Sequence, residues 1–186
     1  MTTWNQTRAR VAFWTYTATA RVLHWGLAVL LAGMVALGWS MMSIEEQPNS
    51  RWYFGLHKFI GITILALVLL RLLWRITHRP RDLPSWLPSW QSMLASTVQS
   101  LLYVVMFMLP LTGFTGALLS KDEVSFFSVE LPHPAPNHAL SERIFAAHGV
   151  IVWILIGLVS IHVAGALKHF WIDRDGVFQR MWPTKK

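Results

Sequence analysis

The chain has 186 residues, 54% of them apolar, with 11 tryptophans and only 13% charged residues, where an average soluble domain has about 25% charged. That balance describes a membrane protein, and the length fits a single domain over residues 1–186. Cysteine is absent, which excludes disulfides, thiolate zinc sites, iron–sulfur clusters and haem attached through CxxCH, so a metal or cofactor must be held by His, Met, carboxylates or backbone.

The first apolar run lies between Arg21 and Glu45, 23 residues with no Lys, Arg or acid, and predicts a helix over about 22–44. It exceeds the 7–15-residue core of a signal peptide, and "LGWSMMS" offers no small-residue cleavage site, so it reads as a retained span. A short acidic connection, "SIEEQPNSRWYFG", leads to a second run over about 57–76. Arg71 and Arg75 interrupt that run and are expected to snorkel towards the interface. "HRPRDLPSWLPSW", with three prolines and two tryptophans, suits a bent path through the headgroup region. A third run covers about 96–119, inside an uncharged stretch from Leu83 to Ser120. In the long connection "SKDEVSFFSVELPHPAPNHALSER", the piece "VSFFSV" is expected to lie as a lid on the bundle and "PHPAPNH" to be irregular. The fourth run, about 144–167, has 24 residues without Lys, Arg or acid. About 20 apolar residues cross the hydrocarbon core, so the expected fold is an all-α membrane protein with four transmembrane helices.

The formal charge of +7 finds its explanation in topology. The N-terminus, the middle connection and the C-terminus hold 12 of the 16 cations, while the other two connections hold Arg51, Lys58, Lys121 and Arg143 beside six of the nine acids. The positive-inside rule then places both termini in the cytoplasm, with lipid rather than nucleic acid as the partner of the basic residues.

Two histidines stand inside the fourth run. His148 and His162 are 14 residues apart, about 21 Å along a helix and only about 40° around it. They face one seam at two depths. His24 begins the first helix at the depth of His162, and His57 begins the second at the depth of His148. Two layers with two imidazoles each match two b-type haems, each iron taking one histidine from either side and the macrocycles filling the bundle. Zinc needs more ligands than two per layer. The third helix, without a histidine, would complete the walls, and Gly26, Gly61, Gly149 and Gly165 would let the rings approach the backbone. The competing reading is a colourless bundle whose histidines bond across helices.

The motifs "VLHWGLA", "LHKFIGITILALVLLRLLWR", "AAHG" and "SIHVAGALKHFWIDRDGVFQRM" resemble those of the bacterial cytochrome b561 family, four-helix dihaem proteins of the inner membrane, and they touch three of the four helices. The resemblance implies that His24 and His162 bind the cytoplasmic-side haem and His57 and His148 the periplasmic-side haem. It also implies exchange of electrons with ubiquinone, and in one branch of the family oxidation of superoxide at the periplasmic face.

On that resemblance, ubiquinone is expected near the cytoplasmic-side haem, where Lys168 and His169 follow His162. A histidine there suits proton relay to a reduced quinone; the plain alternative is a pair of interfacial anchors, with Asp173 and Asp175 as solvated turn residues. At the other face Lys58, Arg51 and Arg143 would attract an anion such as superoxide or hold haem propionates. The acidic excess there allows another function, a relay that docks a periplasmic redox protein. His78 reads as an interfacial anchor, His133 and His138 as loop residues, and "GFTG" at 113–116 lacks the spacing of a helix-dimer motif.

Overall fold

The computed structural model describes residues 14–48, 50–80, 87–120, 125–126, 129–130 and 136–182. Four long helices dominate them: α1 (Ala18–Ser43), α2 (Ser50–Thr77), α3 (Ser89–Leu119) and α4 (His138–Leu167). Each is long and apolar enough to cross a bilayer. At 1.5 Å per residue even the shortest, of 26 residues, reaches about 39 Å, so its ends extend past a hydrocarbon core of about 30 Å.

The helices end within one residue of the apolar runs but begin four to seven residues before them. Hydropathy registers only the apolar middle, whereas the first turns carry Arg21, Arg51, Gln91 and His138. Local capping sets two of the true starts. The Thr17 side chain accepts from the Ala20 amide at 3.3 Å, and that of Asn137 from the Leu140 amide at 3.1 Å, each satisfying a donor that the first turn leaves free. Pro88 precedes α3, where its lack of an N–H costs nothing.

The starts of α1 and α3 and the ends of α2 and α4 share one end of the bundle, called here the terminal end; the opposite end is the loop end. The helices pack in the order α1–α2–α3–α4, with the most extensive contact between α3 and α4. The core lies between the two ends: Leu27 of α1, Ile64 and Val68 of α2, Leu155 of α4, and Val98, Leu102, Val105, Met106 and Leu109 of α3. Those α3 positions follow the i, i+4, i+7, i+8 pattern of one helical face. The helix without a histidine is thus the best buried of the four.

Two two-residue strands, β1 (Ser125–Phe126) and β2 (Val129–Glu130), pair antiparallel in the last connection, and β1 lies beside α2. They fall within the "VSFFSV" segment and its neighbour, whose other residues, like Lys121 and His133, lie outside the described residues.

Beyond α4 the helix widens into a π-helical turn, Lys168–Asp173. Arg174 and Gly176 then adopt left-handed backbone angles, φ 50° and 81°, and the chain doubles back through a 3₁₀ turn at Phe178–Arg180. Glycine suits the second position because it has no Cβ to clash. The returning tail straps the start of α1. The Trp25 indole donates to the Met181 carbonyl at 2.9 Å, Arg21 to the Trp182 carbonyl at 3.0 Å, and the Tyr16 amide to the Arg180 carbonyl at 3.0 Å.

Candidate functional site

The structure brings the four span histidines together in two pairs. At the terminal end the His24 and His162 rings stand 6.1 Å apart, centre to centre, at 77°. At the loop end His57 and His148 stand 6.4 Å apart at 67°. All four side chains are half-buried.

A single spacing organises both layers. Residues 14 apart return to nearly the same helix face about 21 Å further on. On α4 that spacing joins His162 to His148. On α1 it joins His24 to Gly38, and a Cβ at Gly38 would sit 3.6 Å from the His57 ring. On α3 it joins Gln99 to Gly113, where a Cβ would lie 3.2 Å from Cε1 of His148. On α2 it joins His57 to Arg71. Each helix presents one residue to each layer.

At the loop end the backbone fixes the orientation of His148. Its Nδ1 stands 3.0 Å from the Leu109 carbonyl and 3.1 Å from the Thr112 hydroxyl. A carbonyl only accepts, so Nδ1 carries the proton and Nε2 keeps its lone pair, the arrangement that metal-binding histidines adopt. Pro110 beside Leu109 removes an amide from the α3 ladder. Across the layer, Nδ1 of His57 is buried with no hydrogen-bond partner among the described residues.

These pairs fit haem iron. Metal–imidazole bonds of about 2 Å, with each ring centre roughly 1 Å behind its nitrogen, separate two opposed rings by about 6 Å. Among the described residues, the one three-membered group of potential metal ligands is His169, Asp173 and Asp175, so neither histidine layer contains a third such ligand from the protein. Two opposed imidazoles alone do not complete a zinc site, whereas a porphyrin supplies the other four bonds to iron.

Of the glycines expected to admit the rings, Gly26, Gly149 and Gly165 would place a Cβ more than 4 Å from any neighbour, and Gly61 would meet Met34. Gly38 and Gly113 serve a different purpose and back the imidazole rings of His57 and His148. The signal that finds them is the 14-residue spacing, applied to α1 and α3.

At the terminal end, Arg71 leans towards the interface as a snorkelling side chain does, yet it is half-buried and its Nη1 donates to the Ala20 carbonyl at 3.1 Å. Arg75 donates to Gln99 Oε1 at 3.2 Å and lies 6.0 Å from the centre of the Tyr103 ring. His78 stacks on Trp74 with ring centres 3.9 Å apart, as an interfacial anchor would.

Lys168 pairs with Asp173, and His169 Nδ1 lies 2.6 Å from Asp175 Oδ2. Asp175 is therefore no solvated turn residue: its side chain is only 8% exposed, and its second oxygen accepts from the Val177 amide at 3.0 Å. The reversal at Arg174–Gly176 carries it back onto His169, a fold that composition alone does not reveal. At the loop end Arg51 and Arg143 are exposed and Lys58 is half-buried beside His57. His138 is exposed and 3.4 Å from Glu142.

A family model described as prokaryotic cytochrome b561 matches residues 15–184. Cytochrome b561 homolog 2 of Escherichia coli K12 is 31% identical over 171 residues, 89% of this chain and 90% of that protein. Cytochrome b561 homolog 1 of the same organism is 30% identical over 178 residues, covering 92% and 98%. A Yersinia pestis protein named probable superoxide oxidase CybB is 26% identical over 168 residues, covering 88% and 93%.

Proposed function

The chain belongs to the prokaryotic cytochrome b561 family and is a membrane electron-transfer protein; from that premise we propose that it links superoxide outside the membrane to ubiquinone within it through two b haems. The observation that carries the reading is the pair of histidine layers, each with ring centres about 6 Å apart. His24 and His162 hold one haem, His57 and His148 the other. Bound haem supplies reversible one-electron chemistry at the iron. The chain's own task is to hold the ligands at two depths, exclude water with the apolar core between them, and serve a different reactant at each end.

The excess of Lys and Arg at the terminal end supports an orientation with that end in the cytoplasm and the loop end in the periplasm. At the loop end, Lys58, Arg51 and Arg143 provide local positive charge for an anionic donor, and the relative named probable superoxide oxidase supports that choice of donor. At the terminal end, ubiquinone gains two electrons and two protons. His169 is placed to deliver protons there: Asp175 holds its Nδ1, and Lys168 is occupied by Asp173.

The pairing is tested by haem quantitation in histidine-to-alanine variants. Losses within a pair should not add: His24→Ala, His162→Ala and the double variant each lose the same one haem of two. Crossing the pairs, as in His24→Ala with His57→Ala, should lose both. Additive losses within a pair would refute the assignment. The donor is then tested with a superoxide pulse and a ubiquinone reduction assay on the wild-type protein. Reduction only by a periplasmic protein, in a salt-dependent way, would replace superoxide with a docked partner.

A further inference from the structure

We propose that Arg71 binds the propionate carboxylates of the haem held by His24 and His162, and that its charge raises the reduction potential of that haem. The proposal rests on the dihaem reading above and adds to it a ligand for a residue so far without a role. The starting point is the register of α2. That helix presents His57 to the loop-end layer, and 14 residues later, on nearly the same face, it presents Arg71 to the other. The terminal-end layer therefore has a guanidinium at a position where the loop-end layer has a ligand.

An arginine at this depth needs an anion. A charge inside a membrane bundle is costly unless paired, and a guanidinium has five N–H donors. One of them is taken by the Ala20 carbonyl. Ala20 lies one turn before His24 on α1, so the same contact holds the guanidinium beside the turn that carries His24. Arg71 also lines a pocket at this end with Tyr16, Trp74, Arg75, His78 and Tyr103. No carboxylate lines that pocket among the described residues, which supply two arginines to it. Haem b carries two carboxylates on one edge, and the fork of a guanidinium binds a carboxylate through paired hydrogen bonds. Fixed positive charge at that edge favours the reduced, less positive iron.

The test is a redox titration of the purified holoprotein in lipid nanodiscs, wild type against Arg71→Gln and Arg71→Lys, with resonance Raman spectra of the propionate bending bands. Both haems should remain in each variant. In Arg71→Gln one of the two midpoints should fall while the other stays, and one propionate band should shift. Arg71→Lys, which keeps the charge but not the fork, should hold the midpoint near wild type and still shift the band; it serves alone if the glutamine variant does not assemble. Two haems with unmoved midpoints and unmoved bands would overturn the proposal and leave the dihaem reading intact. So would a change confined to the binding of phosphatidylglycerol vesicles, which would make the pocket a lipid headgroup site. A wild-type protein with no haem would instead remove the dihaem reading itself.

Discussion

Replacing Gly113 should release His148. A Cβ at this position falls 3.2 Å from Cε1 and 3.4 Å from Nδ1 of that ring, inside the 3.5–4.0 Å at which carbon atoms rest. Alanine thus asks the ring to retreat by a few tenths of an ångström. The ring is tied to the Leu109 carbonyl at 3.0 Å, so retreat weakens a bond with a net contribution of about 1 kcal/mol. Valine carries two further methyls into the same space, and overpacking of that kind costs about 1–3 kcal/mol. Together the two effects amount to about 2–4 kcal/mol, roughly 30- to 1,000-fold against the bound ring position. The assay is haem content by pyridine haemochrome, with the low-spin fraction by electron paramagnetic resonance. Gly113→Ala should keep two low-spin haems, and Gly113→Val should lose the low-spin signal of one. The control is Gly157→Val on α4, nine residues from His148 and so about 180° around the helix, where a Cβ meets nothing within 4 Å. Two intact low-spin haems in Gly113→Val would refute the reasoning. An equal loss in the control would show that bulk in any helix, and not this contact, disturbs the site.

Asp175→Asn keeps an oxygen for the Val177 amide but removes the charge that holds His169. A hydrogen bond to a charged group contributes about 1.5–3 kcal/mol, so ubiquinone reduction should slow by about tenfold or more with haem content unchanged; an unchanged rate would make His169 an anchor only. Ser141, 2% exposed, donates to the Gly116 carbonyl at 2.9 Å where α4 meets α3. Ser141→Ala should cost about 1 kcal/mol, read as a drop of a few degrees in the temperature of haem release. Gly116→Ala should cost less than Gly113→Val, because the atoms its Cβ meets, from 2.8 Å, belong to the Phe145 ring, which is 44% exposed and is not one of the histidine ligands.

The spans were legible because hydropathy measures what the bilayer demands of a helix. Their starts were not, because capping by Thr17 and Asn137 is a local hydrogen bond that hydropathy ignores. The histidine layers were legible for a similar reason: depth in a membrane is nearly a linear function of position in a span. Matching depths across antiparallel helices therefore required only counting from the ends. The tail was not legible. The contact of Asp175 with His169 depends on a π-helical turn and two left-handed residues, and the angles chosen by "WIDRDG" leave no periodic trace.

The 14-residue spacing reduces the two layers to a short list of positions. Four helices at two depths give eight positions: His24 and Gly38, His57 and Arg71, Gln99 and Gly113, His148 and His162. Four bear imidazoles. Two are glycines that make room for an imidazole on a neighbouring helix. The remaining two, Arg71 and Gln99, lie in the terminal-end layer, and Gln99 accepts a bond from Arg75, one turn beyond Arg71. At these eight positions the loop end thus has only histidine and glycine, while the terminal end has a cation and an amide as well. Two chemically equal ligand pairs in unequal surroundings need not share one potential. Arg71, tied from α2 to the Ala20 carbonyl of α1 one turn before His24, is the side chain by which we infer that the sequence distinguishes the layers, and its charge biases an electron towards the end where His169 and Asp175 stand.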